Sequence, residues 1–445
     1  MPHDSIHFAT PSEASKKQET AIQNPAMTWF EQARYGLFVH FGLYSMLGRG
    51  EWVVNREQMP IEALEPLADK FAPHRLDADA LADLAVAGGM RYLIFTTMHH
   101  EGFRMYDSQL SGFCSTRRGP CRDFTAEVIR AARERGLKIG LYHSLNNWFD
   151  QPDGVAALEN SSQYAVYIEN TLGRIQELVT QYNPVDILWY DGWWPFDAVG
   201  WQAERMNEMV RKIQPHILFN GRNGLPGDFA TPEQHLTAPH PWRPWGACVT
   251  LNDHWGFHAG DSRWKSPREV VSLLTRVAQR RGNLLLNIGP RGDGSIPEES
   301  ERVIRRVGQW LKINQEALWE TDFFTWDHHQ RGDHAGDFSH HGPFTCKGNI
   351  LYWILTTPPC GSLVVSGLEC QVARVQLLGG GPLAFSQQEG RLQIEVPDLP
   401  VRDDELPTVL KLECDRPPVI YKTAGMRVPA VPHPRYDPLP SDLAS

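Results

Sequence analysis

The chain has 445 residues, 41% of them hydrophobic, and a formal net charge of −10. It is long enough to bury the cores of two or three domains, and its acidity argues against nucleic acid or an anionic membrane as partner. The seven cysteines are odd in number and show no C-x-x-C, and the N-terminus is polar with no long apolar run, so disulfide scaffolds, structural zinc, a signal peptide and membrane spans are not expected; a soluble, cytoplasmic protein is.

Residues 1–26 read as a loosely ordered tail. From there strands and helices alternate. "YGLFVHFG" (35–42), "RYLIFTTMHH" (91–100), "LKIGLYHS" (137–144), "VDILWYDG" (185–192), "HILFNGR" (216–222) and "NLLLNIGP" (283–290) are apolar runs of strand length. Helical spacing fills 76–89, 122–136, 161–182, 201–214, 266–282 and 297–314. Asp123 is the expected N-cap of the second helix and Gly136 its C′ residue; Ser266 and Pro267 open the fifth. Strands apolar throughout, alternating with helices, predict a parallel sheet covered on both faces, and so many units suit a (β/α)8-type barrel over 27–325. The Pro-rich stretch 220–265 reads as irregular, which makes the barrel imperfect there. After about residue 325 the pattern changes to short strands between Gly/Pro turns, such as "NILYWILTT", "SLVVSGL" and "TVLKLEC". That predicts an antiparallel β-sandwich over 326–425, with 426–445 as a Pro-rich tail.

In a barrel of this kind chemistry sits where strands end. The polar residues falling there are His40, His99, His100, Tyr142, Trp189, Asp191, Asn220 and Arg222, with Glu233 in the loop "GDFATPEQH" (227–235). Fifteen tryptophans are many; they serve either large aromatic cores or a ligand-stacking surface. Each histidine alone is more simply a satisfied structural residue. Together they allow two readings. One is a zinc site on His40, His99 and His100, although no H-x-H or H-E-x-x-H supports it. The other is glycoside hydrolysis: two carboxylates for attack and proton transfer, indoles for the apolar sugar faces, and His, Arg and Asn for the hydroxyls. On that reading the histidines are uncharged or shared donors to hydroxyls.

"WFEQARYGLFVHFGLYSM" with "EW" (51–52), "FTTMHHEGFRMYDS" (95–108), "GLKIGLYHSLNNW" (136–148), "LWYDGWWP" (188–195), "NGR" (220–222), "GDFATPE" (227–233), "HWGFHAGD" (254–261) and "RGNLLLNIGPRGDGSIPE" (281–298) follow one another in an order that resembles glycoside hydrolase family 29, the α-L-fucosidases. The double His and W-x-D-G are its most specific parts. The resemblance implies a retaining exo-α-L-fucosidase that works through a covalent fucosyl-enzyme, needs no metal or cofactor and takes a small carbohydrate substrate. It makes Asp191 the counterpart of the nucleophile and Glu233 that of the acid/base. His40, His99, His100, Tyr142, Trp189 and Arg222 become fucose-binding groups, joined by Glu51 and Trp52 from the first loop. Gly246 departs from the pattern, because an acid is frequent there. The rivals are a fucoside-binding protein on the same fold that has lost acid/base power, and the zinc hydrolase.

Overall fold

The computed structural model describes residues 25–151, 160–239, 242–322, 324, 341–357, 359, 361–396 and 406–419. The expected tail 426–445 and the boundary near 325 lie outside the described residues; helix α1 (Pro25–Ala33) begins within the span read as the N-terminal tail.

Seven strands form one parallel sheet: β1 (Tyr35–Val39), β2 (Tyr92–Met98), β3 (Lys138–Ser144), β4 (Ile187–Asp191), β5 (Leu218–Phe219), β6 (Gly246–Thr250) and β7 (Asn283–Ile288), in the order β5-β4-β3-β2-β1-β7-β6. Helices α2 (Ala78–Ala87), α3 (Phe124–Glu134), α4 (Ser161–Gln181) and α5 (Ala203–Ile213) connect β1 to β5, α6 (Pro267–Gln279) joins β6 to β7, and α7 (Glu298–Asn314) follows. Their starts are where the capping residues put them. Asp123 accepts from the Ala126 amide, and Ser266 and Glu269 form a reciprocal capping box with Pro267 in the first turn of α6. Gly136 takes φ +71° just past α3.

The stretch read as irregular holds two barrel staves. One is β6, whose Gly, Ala, Cys and Thr lack the apolar signature of the other strands. The other is the segment 228–234, which fills the gap between β5 and β6. The Asp228 amide donates to the Phe219 carbonyl (2.8 Å), the Gly246 amide to Ala230 (2.9 Å), the Cys248 amide to Pro232 (3.0 Å) and the Gln234 amide to Cys248 (2.9 Å). The ring is thereby closed by an irregular eighth piece of chain.

Alternation along the strands sorts the residues into two cores. Leu37, Val39, Leu93, Phe95, Leu141, Leu188, Leu284 and Leu286 face the helices. Phe38, Tyr92, Ile94, Tyr142, Ile187, Trp189, Leu218, Cys248 and Leu285 fill the barrel interior. Met27, Phe30 and Ala33 of α1 join that interior cluster and plug the end where strands begin: Phe30 lies 4.4 Å from Phe229 between ring centroids, and its carbonyl accepts from Asn283 (2.8 Å) at the start of β7. Gly36 is required there, since a Cβ would sit 2.3 Å from the Tyr92 ring. With that end plugged among the described residues, the interior opens toward the strand C-termini.

A four-stranded antiparallel sheet, β11-β14-β9-β8, and a three-stranded one, β10-β13-β12, form the second unit, from β8 (Phe344–Lys347), β9 (Ile350–Leu355), β10 (Ser362–Ser366), β11 (Val372–Leu377), β12 (Phe385–Gln388), β13 (Arg391–Glu395) and β14 (Thr408–Cys414). It enclosed its own core of Trp353, Leu363, Leu392, Leu410 and neighbours. It braces the barrel through the Trp310 indole, which donates to the Pro407 carbonyl (2.6 Å), and through Glu316, which meets Tyr352 (3.0 Å) and Lys411 (2.8 Å). Among the described residues, no helix is long and apolar enough to cross a membrane.

Candidate active site

Inward alternation carries Phe38 to His40 on the β1 side, Tyr142 on β3, and Trp189 to Asp191 on β4, so polar groups emerge directly above the apolar interior. They line a cavity of about 230 Å³ that brings together the ten residues given site roles by the resemblance, His40, Glu51, Trp52, His99, His100, Tyr142, Trp189, Asp191, Arg222 and Glu233, whereas Asn220 is spent on the Tyr190 backbone, accepting from its amide (2.8 Å) and donating to its carbonyl (2.9 Å). Trp193 and Trp194, expected from the sequence only as indoles beside Asp191, also line it, together with Phe38, Cys248 and Trp255, to which sequence reasoning gave no role. The two tryptophans after Asp191 and the Trp255 of "HWGFH" were visible as motif members; Cys248 was hidden in the unrecognised strand β6.

Asp191 is the electrostatic centre. Its Oδ2 accepts from the Tyr142 hydroxyl (2.8 Å), and its Oδ1 from Arg222 Nη1 (3.0 Å). Burial alone would raise this carboxyl. The Arg222 guanidinium above all, with the Tyr142 hydroxyl, outweighs that and holds it below the usual carboxylate range. Arg222 also reaches Glu233 Oε2 through Nη2 (2.6 Å), so one planar guanidinium spans both carboxylates. Burial lowers the guanidinium, but Asp191 and the neighbouring anionic groups raise it further, so it remains a cation. Nη2 also points at the Cys248 sulfur (3.6 Å), whose thiol burial pushes up to about 12. Tyr142 is raised well above its ordinary range by burial and by Asp191, so it stays a neutral donor.

The histidines are uncharged. Burial takes His40 down to about 3 and His100 to about 4, and His99 falls well below its ordinary value for the same reason. In His40 and His100 the hydrogen bonds fix which nitrogen carries the proton. Asn287 Nδ2 donates to the Trp255 carbonyl (2.7 Å), which turns Oδ1 toward His40 Nδ1 (2.6 Å); that nitrogen must carry the proton. The Ser144 hydroxyl donates to the Asn146 carbonyl (2.6 Å), so it accepts from His100 Nδ1 (2.6 Å). In both rings Nε2 is left as an acceptor, and that of His100 lies 3.9 Å from Asp191 Oδ2. Asn287 and Ser144, 247 and 44 residues away from their histidines, gave no signal in the sequence.

His99 lies parallel to Tyr142, with ring centroids 5.6 Å apart, and its Nδ1 faces Glu101 Oε2 at 3.8 Å. Glu51 is buried and accepts from the Gly256 amide (2.9 Å), tying the first loop to "HWGFH" at the cavity edge. Trp52 stacks on Trp194 at 5.7 Å. The Trp189 indole N–H, buried in the lining, has no hydrogen-bond acceptor within the described structure. No group of three or more His, Cys, Asp or Glu among the described residues is arranged to hold a metal ion, so the zinc reading of His40, His99 and His100 finds no ligand set there.

The comparisons point the same way. The family model described as Alpha-L-fucosidase matches residues 4–316. The plasma α-L-fucosidase of Homo sapiens is 31% identical over 441 residues, covering 89% of this chain and 90% of the relative. Among solved structures, α-L-fucosidase isoenzyme 1 from Paenibacillus thiaminolyticus superposes with a TM-score of 0.79 at 31% identity, over 88% of this chain and 99% of that one. The Thermotoga maritima α-fucosidase in complex with a mechanism-based inhibitor gives 0.72 at 27% identity, over 86% and 96%. With the family model matching well over half its length, the chain belongs to the α-L-fucosidases, glycoside hydrolase family 29.

Proposed function

We propose that this protein hydrolyses terminal α-L-fucosides with retention of configuration, with Asp191 as nucleophile and Glu233 as acid/base. The observation that carries the reading is the pair of carboxylates held by one guanidinium over a cavity of neutral imidazoles and indoles. An ionised, desolvated Asp191 is suited to attack the anomeric carbon. Its oxygen forms a bond to C1 as the glycosidic C–O bond breaks, and the leaving oxygen takes a proton from Glu233. Water then attacks C1, returns a proton to Glu233 and frees Asp191. Nε2 of His40 and of His100 accepts from sugar hydroxyls, Arg222 steadies Asp191, and Phe38 and Trp255 give an apolar wall for the fucose methyl. The relative solved with a mechanism-based inhibitor is in keeping with a covalent route.

The test is hydrolysis of an aryl α-L-fucoside followed by NMR. The α-anomer of fucose should appear first and mutarotate afterwards. Asp191→Gly should lose several orders of magnitude in kcat, and added azide should restore part of it and yield the β-fucosyl azide. First appearance of the β-anomer, or near-normal turnover by Asp191→Gly, would overturn the assignment.

A further inference from the structure

The loop after β4 is turned sharply and then fixed. Gly192 takes φ +66°, and a Cβ there would lie 2.6 Å from Ser144 Oγ and 3.0 Å from His100 Nδ1, so the backbone hugs the cavity wall. The next two carbonyls are both engaged, that of Trp193 by the Trp201 indole and that of Trp194 by Asn146 Nδ2 at 3.0 Å. The two indoles diverge. Trp194 turns inward, lying 20° from parallel to Trp52 and edge-on to His100 at 5.1 Å. Trp193 meets Trp194 at 76° and remains 45% exposed. Trp193 and Glu233 are the two exposed members of the lining.

Trp193 is two residues beyond Asp191, so their Cα atoms are within about 7 Å of each other. The reading above puts the fucosyl ring among the buried histidines and the glycosidic oxygen toward Glu233. The leaving group then departs through the mouth, where Glu233 and Trp193 stand. A large indole kept in water on a tethered loop is an apolar surface held ready for a ligand, and the C–H face of a pyranose is a matching one.

We propose that Trp193 is the platform of a leaving-group subsite that stacks a pyranose, so that the favoured substrates are fucosides of sugars rather than of small alcohols. This rests on the hydrolase reading above. The test compares kcat/KM on an α-L-fucosyl disaccharide with that on α-L-fucosyl fluoride, whose leaving group is too small to reach the indole. Trp193→Ala should lose about tenfold on the disaccharide, equivalent to about 1.4 kcal/mol, and less than twofold on the fluoride. Trp193→Phe, which keeps a flat apolar face, should recover most of the loss. Equal losses on both substrates, or none on the disaccharide, would overturn the subsite. A wild-type protein inert toward the fluoride would instead strike the hydrolase reading on which it rests.

Discussion

Glu101, directly after the two histidines, is fully buried, and neither carboxyl oxygen has a hydrogen bond of normal geometry. Burial raises it to about 8, and the amides of Glu101 and Leu43 offset this only in part. The groups facing it are His99, at 3.8 Å, and Tyr44. Burial keeps His99 neutral well below its ordinary value and Tyr44 neutral well above its own, so neither titrates near neutrality. Glu101→Gln replaces a proton-binding carboxyl by an isosteric neutral amide and isolates its contribution.

The sign follows from linkage. Between the ordinary carboxyl value of 4.5 and about 8 the unfolded chain has released the proton while the folded protein still holds it. Stability from this group is therefore fully present below 4.5, declines as pH rises, and is gone above the folded value. At about 1.4 kcal/mol per pH unit, the loss between pH 5 and pH 8 is on the order of 3–4 kcal/mol. The glutamine variant escapes that loss. Urea midpoints of the two proteins should be similar at pH 5, and the variant should be the more stable at pH 8. A wild-type-to-variant difference that stays constant from pH 5 to pH 8 would refute the reasoning, because it would mean that Glu101 ionises alike in both states.

Two further outcomes follow from the carboxylate pair. Glu233→Ala should lose about 10²–10⁴-fold on a fucosyl disaccharide but less than tenfold on a dinitrophenyl fucoside, which needs no proton; a uniform loss in steady-state kinetics would place the acid elsewhere. Arg222→Gln removes the main charge opposing the burial of Asp191, so the acid limb of the kcat/KM–pH profile should move to higher pH. An unmoved limb would show that Asp191 does not set it.

What the sequence revealed, and what it hid, has a physical basis. Runs such as "YLIFTTM" and "NLLLNI" are legible as strands because helices cover both faces of the sheet and make nearly every side chain apolar. β8 and β12 drew no strand reading because each is only four residues long and half polar, "FTCK" and "FSQQ". The site residues were legible because strand ends and chemistry coincide in a barrel. Tautomers were not, because Asn287 and Ser144 act across the fold. Glu101 drew no reading from the sequence, since nothing local tells that Tyr44 and His99 close over it.

The departure at Gly246 lies at the floor of the barrel. Gly246 begins β6, paired with Asn283 at the plugged end of the barrel. A Cβ there would meet Phe30 Cζ and Asn283 Cβ, both at 3.5 Å, so an acid at 246 would start among the apolar floor residues of α1. The cavity is reached two residues later, by Cys248. Glu233 gets to the mouth by another route, on the segment 228–234 that pairs with Cys248 on one side and extends from β5 on the other. The stretch that closes the barrel is thus the same one that carries the acid assigned here. Every second residue of that stretch faces inward: Phe229 joins the interior cluster, Thr231 meets Arg222 Nε (3.3 Å), and Glu233 shares Arg222 with Asp191 although the two carboxylates lie 42 residues apart in the chain.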